Sequence, residues 1–351
     1  MYKEELLYSY LLRLAEANGF TNPKAFFNHG GIFPDKDDTK LRLDSLEDIS
    51  FLLPRLSSYY TGAEIIADHT VLPAYLPFMS KVKQYLTVNA MIRKKRDYPN
   101  IVGHIMAGYI DDIYVCPDCQ KEGHYLRRGH HLYGVKACHK HRMPLMKIIR
   151  DRKGMAERFE PVTGFDLEEQ VKYAKFADEL LKANISTDLY TVRQALGAKA
   201  KEEPDLEDRY LCIMTKLGFE NPEALASRMY KESTMMRNII LGERFSILMC
   251  CAYALFGDVE SFRKAVEKQG KHIVPEGYTV VDKRGVILEL KHEACGTTFA
   301  ATAYGIESGW SCPCCMEKDE GEIFGKMIQI SSNGRFTTNA KLTGWKDEME
   351  F

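Results

Sequence analysis

The sequence predicts a mainly α-helical fold with two small Cys/His-rich modules set into it, and three observations carry that reading. Cysteines and histidines fall into two complete sets: Cys116 and Cys119 with Cys138 and His141, then His292 and Cys295 with Cys312 and Cys315. Apolar residues recur at helical period through most of the remaining chain. Just before the second set the period shortens to two, around Tyr278-Thr-Val-Val-Asp and Gly285-Val-Ile-Leu-Glu-Leu-Lys, which reads as a hairpin leading into His292.

Each Cys/His set consists of two pairs of soft ligands, each pair separated by two residues, a spacing that turns both side chains onto one ion. Proline follows the first cysteine in Cys116-Pro117 and Cys312-Pro313, where its fixed φ suits the second position of a tight turn. A redox dithiol or a disulfide framework is the bland alternative. Against both, each pair has a partner pair at ribbon-like distance, one histidine completes each set, and no secretory segment argues for an oxidising compartment. Two structural zinc ions per chain are expected, in a loop-rich finger and a β-rich ribbon. Four protein ligands leave zinc no open position for water or substrate, so no catalytic residue is assigned. The deaminase pattern of H-x-E with a downstream P-C-x-x-C is not supplied by His292-Glu293-Ala294 and Pro313-Cys314-Cys315.

At 351 residues and 45% hydrophobic content the chain is long enough for two or three cores. Six of its ten cysteines enter the two sets. Of the others, Cys212, Cys250 and Cys251 sit in apolar surroundings and are expected as core thiols. The N-terminus lacks a basic region followed by an apolar one, and the longest apolar run, Phe245 to Phe256, falls short of a membrane span, so a cytoplasmic protein without membrane contact is expected. With 48 basic and 49 acidic residues, any nucleic-acid contact must come from local patches. Between Cys119 and Arg150 the cations Lys121, Arg127, Arg128, Lys136, Lys140, Arg142, Lys147 and Arg150 face Glu122 alone, which makes the finger a basic module. Arg127, Arg128, Lys136 and Lys140 are its candidate phosphate contacts. The stretch from Met155 to Tyr210 is acidic and is expected to face solvent or a basic partner.

Residues 4 to 18 read as an amphipathic helix, with Leu6, Leu7, Tyr10, Leu11 and Leu14 on one face, Glu4 and Glu5 in the first turn, and Gly19 as the stop. Asn22-Pro23 then opens a short second helix. The same grammar recurs at Gly218-Phe219-Glu220-Asn221-Pro222, which predicts two helix-turn-helix-like units. One or both present a recognition helix to DNA, or both are ordinary packed pairs; Glu223 disfavours the second copy as a reader. Between the units lie a capping box at Asp44-Ser-Leu-Glu47, a helix from Ala63, and the run Arg93-Lys94-Lys95-Arg96, either a phosphate contact or a solvated face. Helices are expected over Arg244–Ala254 and Val259–Val266. The organisation predicted is a helical domain over 1–100, the first finger over 101–154, a second helical domain over 155–271, the ribbon over 272–316 and an extension over 317–351.

The opening Glu5-Leu-Leu-Tyr-Ser9-Tyr-Leu-Leu-Arg13-Leu-Ala15-Glu-Ala17-Asn18-Gly19, and the finger with its Tyr125-Leu-Arg127-Arg128-Gly-His130-His131 centre followed by Leu145, resemble the TniQ family of transposon target-selection proteins. The likeness is specific over residues 1 to about 147 and looser from about 205 to 316, where Arg244 and Phe256-Gly257 are similar to later helices of the family. His292 in the first ligand position of the ribbon departs from the family pattern, and residues 317–351 match nothing. The resemblance implies a non-enzymatic adaptor that marks a DNA target, directly or through an RNA-guided CRISPR effector complex, and recruits an AAA+ ATPase regulator of transposition, with a homodimer as an open state. The competing readings are a zinc-containing transcription regulator, which would call for a palindromic operator, a protein-only scaffold, and a zinc enzyme.

Overall fold

The computed structural model describes residues 1–20, 59–79, 84, 87–88, 91, 113–150, 157–183, 185, 187, 189–234, 245–269, 277–284, 287–302, 312 and 315. It is mainly helical, with three small sheets, and divides into two compact units. One comprises residues 1–236 with 244–268, the other residues 237–243 with 269–351.

The first unit opens with helix α1 (Leu7–Ala17); Leu6, Leu7 and Leu11 of the expected face are buried, Tyr10 and Leu14 are only half-buried, and Ala15 is buried as well. It starts later than the sequence suggests. Glu4 and Glu5 do not occupy its first turn: Glu4 takes a positive φ of 65°, and Glu5 pairs antiparallel with Arg127 before the helix begins. The backbone of residues 4–6 is claimed by the finger, Leu6 N–H donating to Leu126 O at 2.9 Å and Arg128 N–H to Glu4 O at 3.1 Å. Gly19 ends α1 with φ 79°, as expected. Residues 21–58, with the second half of the first helix-turn-helix-like unit and the Asp44–Glu47 capping box, lie outside the described residues.

Helix α2 (Gly62–His69) carries a reciprocal capping box between Thr61 and Glu64. The short α3 (Leu72–Tyr75) continues into a 3-10 turn over Leu76–Phe78. The finger follows. Strand β1 (Ile113–Val115) leads into α4 (Pro117–Glu122), a 3-10 turn (Arg128–His131), and the minimal hairpin β2 (Ala137–Cys138) with β3 (Met143–Pro144). Strands β4 (Met146–Arg150) and β5 (Glu157–Pro161) complete a sheet in the order β1-β4-β5, with Val115 opposite Met146 and Ile148 opposite Phe159.

Six helices build the rest of this unit's core: α5 (Leu167–Lys182), α6 (Leu189–Ala200), α7 (Leu206–Lys216), α8 (Pro222–Thr234), α9 (Phe245–Phe256) and α10 (Val259–Gln269). Helix α9 is buried from Phe245 to Leu255, so its apolar run is core, while α10 turns only Val259, Phe262 and Val266 inward. No single helix among the described residues is long and apolar enough to cross a membrane, and α9 and α10 are bent by 102° at their junction. Cys250 and Cys251 are buried, but Cys212 is exposed, a correction to its expected place in the core. The reason is helical phase: α7 buries Leu206, Tyr210 and Met214 at four-residue steps, which turns position 212 outward.

One hydrophobic core joins α1, the finger and the helices; Leu11, Cys116, Leu145, Tyr173, Met214 and Met249 all belong to it. Gln170, fully buried on α5, ties three segments together. It accepts from Lys136 N–H at 3.0 Å and donates to Gly134 O at 3.0 Å and Leu217 O at 2.8 Å. Phe219, in the turn between α7 and α8, also reaches the finger: its ring packs on Tyr133 at 5.4 Å. Gly134, at φ 74°, has no room for a Cβ, which would lie 2.5 Å from the Phe219 ring.

In the second unit β6 (Tyr278–Arg284), β7 (Ile287–His292) and β8 (Thr298–Thr302) form an antiparallel sheet in that order, with a bulge between Val280 and Asp282. The hairpin leading into His292 is as the change of period predicts.

Candidate metal centres

The two Cys/His sets read from spacing are brought together by the fold. A tetrahedral ion with bonds of about 2.3 Å to sulfur and about 2.0 Å to nitrogen holds its ligand atoms roughly 3.5–3.8 Å apart. In the first set the Cys119 and Cys138 sulfurs lie 3.7 Å apart, and His141 Nδ1 sits 3.3, 3.4 and 3.7 Å from Cys116, Cys119 and Cys138 Sγ. In the second, His292 Nδ1 is 3.2 Å from Cys295 Sγ and 3.5 Å from Cys315 Sγ, and the Cys295 and Cys312 sulfurs are 3.5 Å apart. Both donor sets have the chemistry and spacing to hold a metal ion.

Local sequence explains how the first set is presented. Pro117 starts α4, so Cys116 stands at its cap and Cys119 one turn on, while β2 and the turn after it bring Cys138 and His141 to the same point. The three cysteines are buried. A hydrogen bond with the Cys119 thiol, opposed by burial and aided by His130, holds the Cys138 thiol far below the ordinary thiol range. The reciprocal bond and burial push Cys119 up. Burial also raises the Cys116 pKa, so a cation would displace thiol protons from both Cys116 and Cys119, since the thiolate is the ligand.

Sequence reasoning missed the residue that orients the histidine. Glu122 Oε1 lies 3.2 Å from His141 Nε2, an arrangement in which Nε2–H donates to the carboxylate and Nδ1 keeps its lone pair for the metal. Lys140 and Arg127 donate to the same carboxylate. The signal was present, for Glu122 is the lone acid of the basic stretch.

The second set is more open. Cys312 is buried, whereas Cys295 and Cys315 are exposed. Tyr278 on β6 supports it twice, stacking on His292 at 4.8 Å and accepting Cys312 N–H at 2.9 Å through its hydroxyl.

The Tyr125–His131 centre of the finger is engaged with the rest of its unit. Arg128 is 5% exposed; its guanidinium donates to Ala67 O and to Thr70 O, the latter at 3.3 Å. Arg127 pairs with Glu4 at 2.9 Å and Glu122 at 3.3 Å. Lys136 donates to Gly218 O, and Lys140 pairs with Glu122. Arg142 pairs with Glu168 at 2.6 Å, and His139 lies 3.6 Å from Asp178, so part of the acidic segment meets the basic finger of the same chain. The four candidate phosphate contacts of the finger are thus all engaged within the fold. Arg93, Lys94, Lys95 and Arg96 lie outside the described residues.

His131 is fully buried: Nδ1–H donates to Arg127 O at 3.0 Å and Nε2 accepts Tyr114 N–H at 3.3 Å. Burial lowers its pKa to about 4 from the ordinary 6.5. A depressed folded-state pKa gives stability that is present above the unfolded value and lost as pH falls through the folded one, about 3 kcal/mol in full between roughly pH 6.5 and 4. His69, whose ring packs against Tyr60 and bonds Glu5 O, is lowered by burial in the same direction. Melting of the first unit at constant metal content should therefore fall between pH 6.5 and 5.5. His131→Gln should start lower at neutral pH and fall less; an equally steep fall in the variant would refute the assignment.

Compared with known proteins, no curated protein matches the chain, and residues 1–145 match the TniQ family model.

Proposed function

We propose, from the match of residues 1–145 to the TniQ family model, that the chain is a non-enzymatic targeting adaptor of a bacterial transposon. It engages a DNA target, directly or through an RNA-guided CRISPR effector complex, and recruits the transposition ATPase regulator. The observation that carries this reading is the match over the opening helix and the first finger as far as Leu145, which includes all four of its ligands. Each ligand set holds one zinc ion, Cys116, Cys119, Cys138 and His141 in the finger and His292, Cys295, Cys312 and Cys315 in the ribbon. Zinc supplies a rigid crosslink at each point; with four protein ligands it has no position for a substrate. In the finger that crosslink fixes the hairpin against which α5 packs, and so holds the TniQ domain and the later helices as one body for bridging.

Omitting the chain from a reconstituted transposition system should abolish insertion at the target while leaving the transposase's strand chemistry competent. Insertion at unchanged position and frequency without the chain would defeat the proposal, and the transcription-regulator reading would replace it.

A further inference from the structure

We infer that the outer face of α8, from Ser227 to Lys231, is a duplex-DNA phosphate contact of the first unit. This deepens the targeting reading and rests on it. The finger's candidate cations are occupied: Arg127 and Lys140 by carboxylates, Arg128 and Lys136 by backbone carbonyls. Helix α8 differs.

It follows a Gly218 turn after α7, and buries Leu225, Ala226, Met229 and Ser233 against its neighbours. Away from that face stand Arg228 and Lys231, both exposed, with Ser227 half-buried beside Lys231, and Tyr230 is exposed on the other flank of the helix. Arg228 and Lys231 are one helical turn apart and therefore share a face. Neither has an acidic partner among the described residues. The one ion-paired acid of this helix, Glu232, is turned away onto Arg193 at 2.6 Å. Tyr230 is 37% exposed, a large ring at the surface with a hydroxyl at its tip. Two cations without an acidic partner among the described residues, with a serine hydroxyl on the same side and a phenol on the flank, are donors that phosphate oxygens accept from.

Charge also sets the orientation. Glu220 and Glu223 stand exposed at the N-terminal end of α8, where a recognition helix would normally enter a groove, and they would repel the backbone. Contact therefore falls on the second half of the helix, along the strand, and reads no base. It is sequence-independent.

The test uses the full zinc-replete chain and a labelled mixed-sequence duplex over a salt series. Arg228→Glu with Lys231→Glu should weaken binding by on the order of tenfold or more and lower the slope of log K against log salt by about 2, close to one unit per lost phosphate contact. A control carrying Lys172→Glu and Lys175→Glu on α5 makes the same change of net charge elsewhere and should bind nearly as the parent does. Arg228→Gln with Lys231→Gln, milder for folding, should lose a smaller part in the same direction. Four results would overturn the inference: no duplex binding by the parent, unchanged affinity in the α8 variants, equal loss in the control, or an effect confined to an RNA duplex. Insertion that still requires the chain alongside any of these would leave the adaptor reading standing, whereas insertion independent of the chain would remove that reading itself.

Discussion

Metal analysis of the reduced, zinc-replete protein should return two ions per chain, and Cys119→Ser should return one. The loss would not stay local. Cys116, Cys119 and Cys138 belong to the same hydrophobic core as Leu11, Tyr173 and Met249, so a finger that opens exposes the surface on which α1 and α5 pack. Structural zinc in small modules contributes about 10–16 kcal/mol of apparent binding free energy, comparable to the whole stability of a domain. Chelation should accordingly abolish cooperative melting of the first unit. Cys312→Ser should also remove one ion, with its effect read by proteolysis within the β6–β8 sheet. The ribbon chain offers adjacent Cys314 and Cys315, and Cys315 Sγ lies 3.5 Å from His292 Nδ1. Loss of the ion on Cys314→Ser with retention on Cys315→Ser would redraw that site, and a count of one or none in the parent would withdraw the corresponding centre.

Arg128→Gln should destabilise the first unit by about 3 kcal/mol without changing the salt dependence of nucleic-acid binding. Two of the groups that lose a charged donor, Ala67 O and Thr70 O, end α2, and the arginine between them and the finger is almost wholly enclosed. A buried cation removed from acceptors arranged for it leaves them dry. Arg127, with its partners partly in solvent, should cost about 1 kcal/mol on the same change. Chemical denaturation of the two variants side by side checks the order. If Arg128→Gln kept parental stability and instead flattened the salt slope, the residue would face phosphate and its place in the fold would be other than found.

Two departures from the sequence reading have different origins. Glu4 and Glu5 satisfy the rule for a helix start, yet the segment containing them pairs with Leu126–Arg128, more than a hundred residues away, and α1 starts only at Leu7. Glu5 is buried there, accepting Ser9 Oγ at 3.1 Å and a bidentate pair of bonds from Arg13 at 2.8 and 2.9 Å. Cys212 satisfies the rule for a core thiol by composition, and helical phase on α7 turns it outward. At Glu4 and Glu5 a local preference was outweighed by packing that no local window contains; at Cys212 a reading from composition was outweighed by the four-residue period of its own helix.

The sequence by itself determined the features whose physics is confined to a few residues. Two ligands separated by two residues, with a second such pair at ribbon-like distance, make a set that could hold one ion; Gly19 and Gly218 stop helices because their own backbone takes a positive φ; and a period of two before His292 makes a hairpin. Tertiary structure alone decided where the charges go. The finger is basic and the following segment acidic in any reading, but whether a cation reaches solvent, a carboxylate or a buried carbonyl depends on which distant backbone lies within about 3 Å of it. For Arg128 that neighbour is the end of α2, for Arg142 it is Glu168, and for Arg228 among the described residues there is none. Charge in a sequence is a quantity, and its availability to a partner is a position.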